Sequence, residues 1–231
     1  SSGSLFNKGF EFDFDATVIK NHILSWSLFV NLATNINRVT DISSADMAGK
    51  NIGRNIYVNV MSRGRSVSSL YGYLDDENGK VRDLNSDGEI TSADKVVLGN
   101  TIPLVSGAFG STLSTYGFTL DVLFDGASGH NIANLNKLIA QGKNKLSSSY
   151  VEKGDFMRLA RLSLSYDIPL KTQKVKNLKV SVSGLNLFTA SKYKGWNPDV
   201  NCFGNSVLSN GADYGSYPTV RSIVLGLRAN F

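Results

Sequence analysis

The chain has 231 residues, enough for one large domain or two small ones, and its 42% hydrophobic content, with aromatic and branched residues recurring throughout, excludes a disordered chain. The net charge of +5 comes from scattered lysines and arginines, densest at Arg63-Gly64-Arg65, which argues against nucleic-acid binding because that needs a basic stripe interleaved with aromatics. Apolar runs stay well below the roughly 18 residues a membrane helix requires, which excludes a helical membrane protein but not a barrel, whose strands hide their apolarity in alternation.

The first strand is expected over residues 8–18. Phe10, Phe12, Phe14, Ala16 and Val18 share one face, and Glu11, Asp13, Asp15 and Thr17 the other, a period of two. Residues 23–39 continue as a second strand, with Leu24, Trp26, Leu28, Val30, Leu32 and Ile36 on one face; it is far longer than the usual 5–6 residues of globular sheets. Residues 41–103 read as a long irregular segment. Two strands follow at 105–115 and 118–125, turning at Tyr116-Gly117. Another long connector covers 126–154, inside which Ile132, Leu135, Leu138 and Ile139 have helical spacing. Residues 155–168 and 177–190 are strands five and six, and the alternation of strand six slips at Gly184, which suggests a bulge or kink there. After a third long connector, 191–218, strand seven places Ile223, Leu225, Leu227, Ala229 and Phe231 on one face.

The connectors are sorted by length. Short turns lie near Lys20-Asn21, at Tyr116-Gly117 and at 169–176; long links lie at 41–103, 126–154 and 191–218, and the two kinds alternate strictly. Outer-membrane barrels have this arrangement, with short periplasmic turns and long extracellular loops. Strand length and the Asp and Glu on the polar faces favour such a barrel over a soluble antiparallel sandwich, whose strands also alternate. An aromatic end at Phe231 suits a last strand finishing at the periplasm, which places all three long links outside the cell.

The segment Tyr150-Val151-Glu152-Lys153-Gly154-Asp155-Phe156-Met157-Arg158 leads into Leu162-Ser163-Leu164-Ser165-Tyr166-Asp167-Ile168-Pro169. Then come Gly184-Leu185-Asn186-Leu187-Phe188-Thr189, Tyr193-Lys194-Gly195-Trp196-Asn197-Pro198-Asp199 and Tyr217-Pro218-Thr219-Val220-Arg221. Together with Gly9-Phe10-Glu11 and with Asp83-Leu84-Asn85-Ser86-Asp87-Gly88 followed by Val97-Leu98-Gly99-Asn100, this order resembles the C-terminal end of the SusC/RagA-type TonB-dependent transporters of the Bacteroidetes. Asn197 stands where the family often has an acidic residue, and Ala229 where its last strand often has an aromatic. The resemblance implies an all-β fold: about seven long antiparallel strands, the C-terminal section of a transmembrane barrel of about 22 strands. The plug and N-terminal strands are then expected to be missing from residues 1–231. It further implies outer-membrane localisation, uptake of oligosaccharides or peptides with a SusD-like surface lipoprotein, energy from TonB through the plug, and contact with outer-membrane lipid and the rest of the barrel.

Residues 83–94 match a calcium-loop pattern. Asp83, Asn85 and Asp87 sit at ligand positions one, three and five, Gly88 at the sharp turn, Glu89 offers its backbone carbonyl, Thr91 a water-mediated contact and Asp94 the terminal carboxylate. Asp at the last position, where Glu is usual, weakens the site or admits Mg²⁺. The expected role is a structural Ca²⁺ in an extracellular loop; an acidic turn without an ion is the competing reading. Tyr193, Trp196, Phe203, Tyr214 and Tyr217 are candidate ligand or partner contacts, with packing or a girdle at the membrane surface as the alternative. Glu11, Asp13, Asp15, Asp121, Asp125 and Asp167 are expected to line a watery lumen. No enzymatic activity is expected: His22 and His130 fall at opposite ends of the strands, no zinc spacing occurs, and the single Cys202 allows no intrachain disulfide. The alternatives are a soluble secreted β-rich carbohydrate-binding module with a structural calcium loop and, more weakly, a calcium-dependent adhesion or docking module.

Overall fold

The computed structural model describes residues 3–42, 47–53, 56–170, 177–204 and 206–230. Seven strands form one sheet: β1 (Gly3–Lys20), β2 (Leu24–Ile42), β3 (Val105–Thr115), β4 (Phe118–Ser128), β5 (Phe156–Ile168), β6 (Asn177–Ser191) and β7 (Ser222–Asn230). Their spatial order is their chain order and every pair is antiparallel, so the sheet is an uninterrupted meander. Short and long connectors therefore emerge at opposite ends. The expected last residue, Phe231, and the turn residues 171–176 lie outside the described residues.

Pairing register turns the alternation of single strands into continuous rows. Phe14 faces Val30, which faces Phe109, then Phe124, Leu159 and Phe188. A second row runs Trp26, Leu113, Leu120, Leu164, Val182, Leu225. Between them, on the other face, run Thr17, Ser27, Thr112, Asp121, Ser163 and Ser183. A slip of one residue anywhere would mix the two faces, so these rows fix the register. The Phe109 and Phe124 rings stack at 4.8 Å.

Among the described residues, no second layer covers the apolar rows. Phe10 is 61% exposed, Leu120 38%, Leu164 45% and Leu225 80%. A sandwich would bury these positions between two sheets; here they form one contiguous greasy wall.

The strand breaks differ slightly from expectation. Gly184 pairs regularly with Leu162, and the ladder slips two residues later: Leu159 faces Phe188 while Arg161 faces Leu185. Ala160 is the extra residue on β5, and Asn186-Leu187 bulge from β6, with Asn186 at φ 52. The alternation pattern located the disturbance but not the residue that absorbs it, because either side of a bulge fits a shifted period of two.

Residues 41–103 were expected to be irregular throughout, but their described part contains short paired strands. Met47–Ala48, Asn59–Met61, Ser69–Gly72 and Val96–Asn100 make a four-stranded sheet. Asn131–Asn134 pairs antiparallel with Val151–Lys153 from the same connector and parallel with Ala212–Asp213 from the third. The expected helix is α1 (Leu135–Ala140), capped by Asn134, whose side chain accepts from the Lys137 amide at 3.0 Å. Ile132 belongs to the preceding strand.

These pieces share the main dry core of the described residues. Ile56, Val58 and Leu70 from the first long connector, Ala133, Leu135, Leu138, Leu146 and Tyr150 from the second, and Ala212 from the third form one buried cluster. At about 3.3 Å per residue, the 19 residues of β2 reach about 60 Å, well past the 9–11 residues that cross a bilayer. The surplus length carries loop structure. Val39 is buried there, donating to Arg65 O and accepting from Gly64, while the Asn37 side chain accepts from Ser66 and Val67.

Candidate functional site: folded loops above a two-faced wall

The polar face of the wall carries a ladder of charge pairs. Arg158 grips Asp125 through two hydrogen bonds and lies 3.5 Å from Asp199 of the third connector. Arg161 Nε meets Asp121 Oδ1 at 2.6 Å, and Thr112 donates to the other Asp121 oxygen at 3.0 Å. Lys179 meets Asp167 at 3.1 Å, and Asp13 accepts from Asn31 at 2.5 Å. The acids expected on this face are there, and the sequence reading missed that Arg158, Arg161 and Lys179, one strand away, match them. Arg158–Asp125, Lys179–Asp167 and Asn31–Asp13 are direct cross-strand partners and Arg161–Asp121 a diagonal one, so the signal becomes visible only once pairing is known.

Residues 83–94 close on themselves. Asp83 accepts from Ser86 N–H at 2.7 Å and Gly88 N–H at 2.8 Å; Asn85 accepts from Asp87 N–H at 3.0 Å, and Asp87 from Glu89 N–H at 2.8 Å. Ser86 and Gly88 have φ of 60 and 87, the left-handed backbone that closes the turn, and the Asn85 side chain donates to Asp87 Oδ2 at 2.7 Å. Asp94 is buried and accepts from Leu84, Thr91 and Asn85 amides at 2.8, 2.9 and 3.4 Å. Those amides hold its carboxyl below the usual carboxylate range, Thr91 and Leu84 foremost. The donor set is all oxygen, as a hard cation requires. Among the described residues, no group of three His, Cys, Asp or Glu side chains converges as a metal cage; the loop carboxylates are turned onto their own amides.

The aromatic candidates separate into two groups. Tyr193 is buried and donates to Asp213 Oδ2 at 2.5 Å; burial, then this carboxylate, pushes its hydroxyl far above the ordinary tyrosine value. Asp213 also accepts from Asn136 at 3.0 Å, so this pair locks the third connector onto α1. Phe203 packs against the loop core under the Lys50 ammonium, 5.7 Å from its ring centre. Trp196 is 80% exposed; Tyr214 and Tyr217 are exposed and line an open cleft of about 320 Å³ with Asn197, Asp199 and Asn201.

His130, also in the loops, is buried with Nδ1 unpartnered; burial lowers its pKa, against the pull of Asp155 and Asp199. His22 lies in the exposed turn between β1 and β2, at the far end of the sheet.

Comparison with known proteins gives these features a context. The chain is 27% identical to TonB-dependent receptor P3 of Formosa agariphila, and the match covers 99% of the chain and 29% of that receptor. It is 28% identical to TonB-dependent receptor SusC of Bacteroides thetaiotaomicron, covering 99% of the chain and 27% of SusC. The chain is therefore similar, over nearly its whole length, to SusC/RagA-type TonB-dependent receptors. In fold it superposes on part of the RagAB peptide transporter with a TM-score of 0.76 at 18% identity, covering all of the chain and 30% of the other. The seven-stranded sheet thus matches part of the fold of a TonB-dependent β-barrel transporter. No family model matches the chain. The chain spans less than a third of the length of these SusC-type relatives.

Proposed function

We propose that this SusC/RagA-type chain is the C-terminal section of the barrel of an outer-membrane importer, which takes up oligosaccharides or peptides with a SusD-like surface lipoprotein and draws energy from TonB through a plug domain. It acts by passage of cargo and not by catalysis. One observation carries the reading: unbroken apolar rows, led by Phe10, Leu120, Leu164 and Leu225, lie uncovered on one face of a meander whose other face is charged and hydroxylated. Such a wall is stable only with lipid on one side and water on the other, and its strand edges need the rest of a closed barrel. The charge-paired face lines the lumen and the folded loops stand outside the cell. Fractionation of cells expressing the full receptor tests this. The receptor should sediment with the outer membrane and need detergent for extraction; recovery as a monomer in plain buffer would favour a secreted carbohydrate-binding module instead.

The loop at 83–94 fits a structural Ca²⁺, with Asp83, Asn85, Asp87 and Asp94 supplying side-chain oxygens and Glu89 its carbonyl; the ion would replace amide contacts and stiffen the turn. Titration with Ca²⁺ should raise the protease resistance of the loop in the native receptor and leave Asp83→Ala and Asp87→Ala unchanged. Equal resistance with and without Ca²⁺ would remove the ion from the account.

A further inference from the structure

Away from the calcium-type loop and the lumen wall, the folded loops enclose a recess of about 290 Å³ lined by Tyr57, Tyr71, Tyr73, Lys95, Asn144 and Lys145. Its floor is backbone. Tyr73 N–H donates to Leu146 O at 2.9 Å, and a Cβ on Gly72 would stand 2.3 Å from that oxygen, so only glycine lets the two connectors close here.

Two lysines converge in it. Lys95 Nζ lies 5.8 Å from the Tyr71 ring centre and 5.5 Å from that of Tyr73; Lys145 Nζ lies 5.3 Å from Tyr73 and donates to Ile90 O at 3.1 Å. Among the described residues, the ion pairs formed include neither ammonium. Asp94, next to Lys95 in sequence, is turned inward onto three amides. The ring contacts hold the lysines in place without cancelling their charge. Two like charges, Lys95 half-buried and Lys145 exposed at the rim, thus share one ring, an arrangement that an anion would relieve.

We propose that this recess binds the carboxylate or sulfate of an acidic sugar, Lys95 and Lys145 taking the anion and Tyr57 the face of the ring. The volume is at the small end of ligand pockets and suits about one sugar ring, not a run of extended peptide. Tyr57 is 41% exposed and offers a flat apolar surface, while Asn144 can bond ring hydroxyls. As a contact for cargo, the recess rests on the importer reading above; as a binding site, it does not.

The test is calorimetric titration of the full-length receptor, purified in detergent, with trigalacturonic acid, a sulfated neocarrabiose and triglutamate at low and high salt. At least one sugar should bind, more weakly at high salt, and lose roughly tenfold or more in affinity in Lys95→Gln and Lys145→Gln, the size expected for one charge-assisted contact. Lys95→Arg should retain binding, which separates loss of charge from loss of fold. The proposal is overturned if neither sugar binds, if both Gln variants bind as wild type does, or if triglutamate binds as tightly as the sugars. A receptor that binds sugar yet does not reach the outer membrane refutes the importer and leaves the recess standing; a correctly inserted receptor that binds neither sugar refutes the recess alone.

Discussion

An arginine placed on the apolar face separates a lipid-facing wall from a wet one. Leu164 lies in the row Trp26, Leu113, Leu120, Val182, Leu225, well inside the apolar band, and is uncovered. If lipid covers this row, Leu164→Arg carries a charge toward the middle of the bilayer and costs about 2–4 kcal/mol. At about 1.4 kcal/mol per decade, that is roughly thirty- to seven-hundred-fold in the folding equilibrium. If water covers it, replacing an exposed leucine stays within about 0.5 kcal/mol. Ser165→Arg, one residue along and on the opposite face, is the control and should be nearly neutral. Denaturant unfolding of the full receptor in lipid vesicles, scored by heat-modifiable mobility, measures both. Equal stability of Leu164→Arg, Ser165→Arg and wild type would refute the lipid-facing wall.

Further outcomes follow from the loops. Leu138→Ala, at a fully buried position of the loop core, should cost about 2–5 kcal/mol and expose all three connectors to protease together while the barrel keeps its heat stability; cleavage confined to one connector would contradict the shared core. Tyr193→Phe should cost about 1–3 kcal/mol by leaving the buried Asp213 one donor short, read as faster hydrogen exchange around residues 212–213. Burial alone would raise the Asp75 carboxyl, but hydrogen bonds from Ser149, Ser147 and Ser148 outweigh it and hold it below its ordinary value. A depressed folded-state pKa means stability that is present above the unfolded value of about 3.9 and lost as pH falls through the lower folded value. Exchange at the Ser149 amide should therefore accelerate only in strong acid and show no step near neutrality.

Much of the wall was legible because it obeys one short period. Phe10 to Val18 and Phe118 to Phe124 each repeat every second residue over long strands, and the sorted connector lengths supplied the topology. The loop core obeys no period. Its strands run from two to five residues, too short for alternation to register, and its members come from positions as far apart as Ile56 and Ala212. The helix at Leu135–Ala140 was the exception, since its apolar residues and its Asn134 cap are local. Among the candidate site residues, Asp83, Asn85 and Asp87 announced their turn through spacing. The Lys95–Tyr73–Lys145 grouping left no such trace, because it joins two connectors about fifty residues apart in sequence and exists only once Gly72 meets Leu146.

The three connectors have one interior between them, and this restricts how such a protein can change. A surface loop with its own core can be lengthened, shortened or traded with a homologue one at a time. Here Ala212 fills space shaped by Leu70 and Leu135, so a foreign segment grafted for any one connector leaves a hole or a clash in the other two. New specificity in this part of the barrel should be acquired by co-inherited exchange of the whole set, while the wall below, whose rows ask only for alternation, tolerates drift strand by strand.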